Sequence, residues 1–367
     1  MNHDYEFERR FADQIMKCSQ CGYCQAVCPV FGATLRPAYN ARGKMLLLKE
    51  VLDRRLPLDR ELVETLCQCT TCASCAQNCT AGVDVPAIIK AVRRDLVRAG
   101  ACHPAFEGLH QALAGNDNIY AETDPPDFDR PRNRQAAMVF FAGCVGNFRE
   151  DEATEEALAL LDRLGQDFTL IDEVCCSGVL EDVGYHVIER HARTNTERIL
   201  ATGARILISG CPYCARTFRN DPAYQDLRDS GIEILVLSQL LATLDFKVTT
   251  SQRVTYHDPC DLGRHAGIYD APRAVIAKIA PNFVELPHNR AQALCCGSGG
   301  GLRGAYPRNS LAMARRRLEE VEAVGADVLL TDCNSCVHNL TNAKLRKQNF
   351  RIYNTAAFIN QLIETAG

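Results

Sequence analysis

No apolar run in this 367-residue sequence approaches the ~20 residues a helix needs to cross a bilayer. The start, "MNHDYEFERRFADQ", is charged and lacks the apolar segment of a signal peptide. Nor is there a basic excess: 41 Lys and Arg against 45 Asp and Glu leave a net charge of −4, which argues against a nucleic-acid partner. The rest of the composition, 47% hydrophobic and 23% charged, is that of an ordinary globular chain. Its length suits two or three domains. A cytoplasmic location is expected, with any membrane attachment supplied by a partner chain.

Against this background stand 20 cysteines. In a small secreted chain they would signal disulfides. Here they fall in C-x-x-C clusters, where residues three apart in a tight loop converge on one point, an arrangement better suited to metal. "CSQCGYCQAVCP" (18–29) and "CTTCASCAQNC" (69–79) each hold four. The spacing C-x2-C-x2-C-x3-C-P is the bacterial ferredoxin run, in which three thiolates take three corners of a [4Fe–4S] cube and the fourth reaches to a second cube. One cluster is therefore expected on Cys18, Cys21, Cys24 and Cys79, the other on Cys69, Cys72, Cys75 and Cys28. Thr80 stands in the second run where the first has Pro29. Structural zinc needs only two C-x2-C pairs, so two runs of four favour iron–sulfur, a pair of one-electron carriers.

Around the runs the pattern is helical. "ARGKMLLLKEVLDRR" places Met45, Leu46, Leu48, Val51 and Leu52 at helical spacing. "DVPAIIKAVRRDLVRAG" opens on Asp84 and Pro86 and stops at Gly100. Residues 1–101 thus read as a helical domain carrying two clusters. Residues 102–135, with the Pro-, Asp- and Asn-rich "GNDNIYAETDPPDFDRPRNR", read as a linker or as a long loop packed on the domains.

The texture then changes. "AAMVFFAGC", "DFTLIDEVCCSG" and "ARILISGCPYC" are short apolar strands running into cysteines, and "DEATEEALALLDRLG" between the first two is an amphipathic helix. Strand–helix alternation predicts α/β units with parallel strands. The pattern returns in "RVTYHDPC", "QALCCGSGGG" and "ADVLLTDCNSC". Cys144 with Cys260, Cys175 with Cys295 and Cys211 with Cys333 are displaced by 116, 120 and 122 residues. Residues 136–250 and 251–367 are therefore two copies of one unit. The first supplies Cys144, Cys175, Cys176, Cys211 and Cys214, the second Cys260, Cys295, Cys296, Cys333 and Cys336. Every group is expected to follow a strand, and loops at the carboxyl ends of parallel strands converge on one crevice.

The patterns C-x30-CC-x34-C-x2-C and C-x34-CC-x36-C-x2-C resemble the duplicated cysteine-rich CCG domain of heterodisulfide reductase catalytic subunits and of glycolate or lactate oxidase iron–sulfur subunits. "HDPCDLGRHAGIYDAPR", "CCGSGGGLR" and "GCPYCARTF" share the likeness. The resemblance implies an α+β multidomain chain, a helical two-[4Fe–4S] ferredoxin domain followed by two α/β CCG domains. It also implies one or two noncubane [4Fe–4S] clusters in the repeats, between which a disulfide is split. The function so implied is an iron–sulfur electron-transfer subunit of a heterodisulfide-reductase-like oxidoreductase. Its partners would be a flavoprotein or cytochrome b-type redox protein, with a thiol, disulfide or quinone-linked acceptor, at the inner face of a membrane only through such a partner. The alternative is a relay from a flavin-dependent glycolate or lactate oxidase to quinone; a zinc scaffold is a third class. Two departures stand out: Ser177 follows the first cysteine pair where the family has Gly, and "CNSC" replaces C-P-x-C. Keeping all ten repeat cysteines leans toward two clusters.

Three weaker signals complete the reading. "GGGLRG" (299–304) formally fits G-x-G-x-x-G, but it lies in a cysteine loop rather than between a first strand and a helix, so it is expected to serve cluster packing. His257, Asp258, Arg264 and His265 flank Cys260 and are read as loop-ordering groups rather than proton donors. Cys67 and Cys102 fall outside both registers and are expected to be small buried residues.

Overall fold

The computed structural model describes residues 5–366. They divide into two compact units that do not follow chain order. One comprises the chain as far as Gln111 together with Val179–His186 and Leu294–Arg317; the other comprises Ala112–Gly178, Val187–Ala293 and everything from Leu318 onward.

The first unit is helical. Asn40 caps the helix Ala41–Leu52 by accepting the Gly43 N–H at 2.8 Å, and Ala41, Met45, Leu48 and Val51 form its buried stripe; Leu46 faces solvent. Asp84 caps Val85–Arg98 through the Ala87 N–H, with Pro86 in the first turn. The helix Glu6–Lys17 starts with no cap of its own side chain. Instead the buried Asp95 carboxylate accepts the N–H groups of Glu6 and Phe7 at 2.9 and 3.0 Å. Two short helices, Tyr23–Ala26 and Ser74–Gln77, one from each ferredoxin run, pack on each other.

The second unit holds two parallel sheets. The first contains β1 (Met138–Phe141), β2 (Phe168–Thr169), β3 (Ile206–Ser209) and β4 (Glu233–Val236) in the order β2-β1-β3-β4. The second contains β5 (Val254–Tyr256), β6 (Val328–Thr331) and β7 (Arg351–Asn354) in that order, and a single bridge from Val254 to Phe283 stands where a counterpart of β2 would lie. The expected strand before Cys295 is thus reduced to one bridge, and an irregular stretch with a 3₁₀ turn at Arg290–Gln292 leads to the cysteine pair. The terminal strands β4 and β7 carry no cysteines and were not singled out in the sequence. All four β1 residues are buried: Met138 and Phe140 join one core, Val139 and Phe141 the other, as parallel strands covered on both faces require.

The duplication is two-fold in its packing. The second helix after β1, Asp151–Arg163, packs on the helix after β7, Thr355–Ala366. The helix after β4, Leu237–Thr243, packs on the helix after β5, Asp270–Ile279. An early helix of each repeat meets the last of the other, and one apolar core runs through both sheets. Residues 117–135 have almost no regular structure and bury Phe128 in that core. Among the described residues no helix is long and apolar enough to cross a membrane.

Candidate metal centres

The two ferredoxin loops share a backbone device. Gln20 and Gly22 in the first run, and Thr71 and Ala73 at the same places in the second, all have φ between 54° and 89°. Left-handed residues on either side of the second cysteine curl the loop so that its sulfurs face inward. Three of the four carry side chains that pay steric strain there. Thr71 gains a compensating hydrogen bond from its hydroxyl to Asp182 Oδ2 at 2.8 Å, and its N–H donates to Cys69 Sγ at 3.4 Å.

Cys28 lines one small cavity together with Cys69, Cys72 and Cys75, with Lys44 and Val30 beside them. The last cysteine of the first run thus lies beside the first three of the second. Burial pushes the Cys28 thiol up, against the favourable charge of Lys44, and it pushes Cys75 well up, helped by the neighbouring Cys69, Cys72 and Cys28. In the other run burial lifts Cys24 to about 11, with Cys18, Cys28 and Cys21 adding to the rise. Cys21 is exposed, and Cys79 Sγ accepts the Val83 N–H at 3.3 Å. Buried sulfurs this close cannot all ionise alone. A polycationic metal core is what makes such a donor set stable as thiolates.

The first repeat gathers its cysteines at the carboxyl ends of three adjacent strands. Cys144 follows β1, Cys175 and Cys176 follow β2, and Cys211 and Cys214 follow β3. Cys144 and Cys175 sulfurs lie 3.4 Å apart, Cys176 and Cys214 sulfurs 3.3 Å. Shared hydrogen bonds with Cys144 and Cys176 drive Cys175 well up, and those with Cys176 and Cys211 do the same to Cys214. Cys211 and Cys333 occupy the N-cap positions of the helices Pro212–Asn220 and Asn334–Ala343 without a side-chain capping bond, so both C-x2-C pairs sit at helix starts, where the dipole favours negative sulfur. The sulfurs of Cys214 and of the equivalent Cys333 hold the Cys211 thiol well down, against its burial. Glu173 accepts the N–H groups of Ala142 and Gly143 at 2.9 and 2.7 Å and an Asn147 N–H at 2.5 Å, which pins the Cys144 loop.

Ser177 takes the left-handed backbone of its glycine counterpart. It adopts φ 51°, where the equivalent Gly297 has φ 89°, and each donates its N–H at 3.4 Å to the first sulfur of the preceding pair. Ser177 Oγ accepts the Ile188 N–H at 3.0 Å. At Gly297 a Cβ would fall 2.5 Å from the Ser310 carbonyl oxygen, so only that position demands glycine.

In the second repeat Cys260 follows β5, and Cys333 and Cys336 follow β6 on the same edge of the sheet. Cys295 and Cys296 belong to the helical unit, where Cys295 Sγ lies 3.7 Å from Thr70 Oγ1. The glycines of "GGGLRG" press on the second ferredoxin run: a Cβ on Gly300 would fall 2.8 Å from Thr70 Cα. At Gly299 and Gly300 the lack of a Cβ lets backbone pass directly over Cys69 and Thr70. Asp258 takes a two-pronged contact from Arg273 at 2.8 and 3.0 Å, and Arg264 donates to the Ala293 carbonyl at 2.7 Å, both ordering their loop. His257 is buried and donates its backbone N–H to the Leu330 carbonyl, while the His265 N–H reaches the Cys260 carbonyl. Cys67 is fully buried; Cys102 is half-buried and receives the Tyr185 hydroxyl at 3.8 Å.

Lys44, Arg93, Thr70 and Glu173 were not singled out in the sequence. A signal existed for two of them: Lys44 and Arg93 interrupt otherwise apolar helix stripes.

Residues 14–83 match the 4Fe-4S dicluster domain, and 138–219 and 254–341 each match the cysteine-rich CCG domain. The chain is 28% identical over 363 residues to a component of the dihydromethanophenazine:CoB–CoM heterodisulfide reductase of Methanosarcina barkeri, covering 89% of this chain and 88% of that one. It is 29% identical to a component of the fumarate reductase (CoM/CoB) of Methanothermobacter marburgensis, over 87% of this chain and 66% of the relative. An EtfAB:quinone oxidoreductase of Syntrophomonas wolfei is 24% identical, over 87% and 54%. Among solved structures, a hypothetical protein from Helicobacter pylori shares the fold, with a TM-score of 0.61 at 14% identity over 88% of this chain and 68% of that one.

Proposed function

Because this chain belongs to the CCG-domain iron–sulfur proteins, we propose that it is the electron-transferring subunit of a multi-subunit oxidoreductase of the heterodisulfide-reductase type. Its functional division would be 1–101 for the ferredoxin domain, 102–135 for the connecting segment, and 136–250 and 251–367 for the two repeats. Two cubane [4Fe–4S] clusters would be held by Cys18, Cys21, Cys24 and Cys79, and by Cys69, Cys72, Cys75 and Cys28. Noncubane clusters would be held by the five cysteines of each repeat. When bound, such clusters supply one-electron redox steps. The residues of the chain contribute thiolate donors, helix N-termini and a shell that excludes water.

The observation that carries this reading is the shared cavity of Cys28 with Cys69, Cys72 and Cys75, because a zinc site would not need a ligand crossing from the other run. Retention of a glycine-like backbone at Ser177 supports a full cluster in the first repeat. A disulfide or thiol would react at the repeats, and a flavoprotein or cytochrome b-type partner would exchange electrons with the ferredoxin block. Any association with the inner face of a membrane would come through that partner. The relation to a quinone oxidoreductase favours a second role, relay from a flavin-dependent oxidase to quinone without bond chemistry.

Anaerobic purification with iron, acid-labile sulfide and zinc analysis tests the first claim; zinc without iron would refute it. Electron paramagnetic resonance (EPR) with and without added thiol separates the two roles. A thiol-dependent signal supports reaction at the repeats, and its absence from iron-replete protein supports the relay.

A further inference from the structure

Arg93 is 1% exposed, on the apolar stripe of Val85–Arg98 with Ile88, Ile89, Val92 and Leu96. A guanidinium stays ionised, so burying it is costly unless its donors are met. Nη1 donates to the carbonyls of Asp182 at 2.5 Å and Gly300 at 3.0 Å. Nη2 donates to those of Cys67 at 2.7 Å and Cys69 at 2.9 Å, and more distantly to Leu66 at 3.4 Å. The face of Phe106 lies 5.1 Å from the guanidinium carbon. Carbonyl dipoles solvate the charge without neutralising it. Thiolate-ligated clusters beside it would be the missing anions.

The three segments that Arg93 joins are the approach to the second ferredoxin run, the helix Val179–Val183 downstream of Cys175–Cys176, and the glycine loop after Cys295–Cys296. At the same seam Thr70 meets the Cys295 sulfur, and glycines allow backbone to pack on backbone. We propose that Arg93 is a positioning residue that clamps the Cys295–Cys296 loop onto the Cys69–Cys75 run and so sets the rate of electron exchange between the ferredoxin block and the second repeat. The inference rests on the proposed function above. Exchange moves one electron, oxidising the donor centre and reducing the acceptor by one, with no bond made or broken.

The test uses the anaerobically purified, iron-replete full chain. Arg93→Lys keeps the charge but cannot fork to three segments; Thr70→Val removes the hydroxyl at Cys295 and leaves the clamp. On rapid mixing with dithionite, Arg93→Lys should retain its iron and cubane EPR signals. The later phase of reduction, assigned by freeze-quench EPR to the second repeat, should slow roughly tenfold or more. A Cys295 thiolate could only accept from the Thr70 hydroxyl, so Thr70→Val should lower the midpoint potential of one centre only, since hydrogen bonds to sulfur raise it. Iron-replete Arg93→Lys with wild-type kinetics overturns the inference. Should Arg93→Lys fail to hold iron, Gly300→Ala decides, because its Cβ would fall 2.4 Å from the Cys69 carbonyl oxygen and push the glycine loop off the run; an unslowed later phase in iron-replete Gly300→Ala overturns the inference. Wild-type protein without iron would instead overturn the functional reading, and the inference with it.

Discussion

Lys44 stands between Ala41 and Met45 on the buried stripe of its helix, where patterning alone would place an aliphatic residue. Its side chain donates to the Tyr39 carbonyl and lies by Cys28, Cys69 and Cys75. A cation held there favours the more negative, reduced form of whatever those sulfurs bind. Lys44→Met is therefore expected to lower one midpoint potential, by on the order of 100 mV for a unit charge several ångströms away at an effective dielectric near 20. Redox titration of the cubane EPR signals checks it, and an unchanged potential would show the ammonium is too far or too well screened. Ser177 and Gly297 make a second residue-scale test. Ser177→Gly relieves left-handed strain of about 1 kcal/mol and loses a hydrogen bond of similar worth, so stability should change little. Gly297→Ser must displace the Ser310 carbonyl and should lower both the melting temperature and the iron content. Equal effects from the two changes would contradict the asymmetry.

At the scale of elements, the first helix is held by charge as much as by packing. Glu6 meets Arg94 at 2.7 Å, Arg10 at 2.8 Å and Arg98 at 3.0 Å, next to the Asp95 carboxylate that caps the same helix. Burial raises the Glu6 carboxyl, but the hydrogen bonds and charge of Arg94 outweigh it and hold the group down to about 2, below its ordinary 4.5. A depressed carboxylate stabilises the fold fully above its unfolded value and loses that contribution as pH falls from about 4.5 through about 2. Glu6→Gln should therefore melt lower than wild type at pH 7, with the gap closing toward pH 2. A gap independent of pH would assign the effect to packing. The cysteine loops obey a similar division of labour. In the first repeat a short β2 presents Cys175 and Cys176, whereas in the second the pair arrives on irregular chain held by Thr70 and the glycine contacts.

Across the whole molecule, metal and apolar burial stabilise different parts. The parallel sheets share a core that includes Phe140, Ile208, Val254, Tyr256 and Leu330, and this core needs no ligand. The ferredoxin runs consist of short helices and left-handed turns around buried sulfurs, and without iron they lose the cations that make those sulfurs compatible. Chelating iron under anaerobic conditions should split thermal unfolding, with an early loss of helical signal and a later transition of the sheets. Apoprotein that melts in a single transition at the holoprotein temperature would contradict this.

Much of the design was legible in the sequence because cysteine spacing and apolar periodicity are local properties. Loop geometry makes C-x2-C sulfurs converge wherever they occur, and a repeat of about 120 residues announces two equivalent α/β units. The parallel sheets and the helices Ala41–Leu52 and Val85–Arg98 were readable in this way. Strands β4 and β7 carry no cysteine to mark them, and the bridge at Phe283 has too little chain to show a period of two. Only tertiary structure decided that Leu294–Arg317 joins the helical unit and that Arg93 gathers carbonyls from segments up to 207 residues away. Local pattern says which residues will be buried. Which distant backbone a buried charge must find is settled only when the chain has folded, because the acceptors that offset its desolvation do not exist until then.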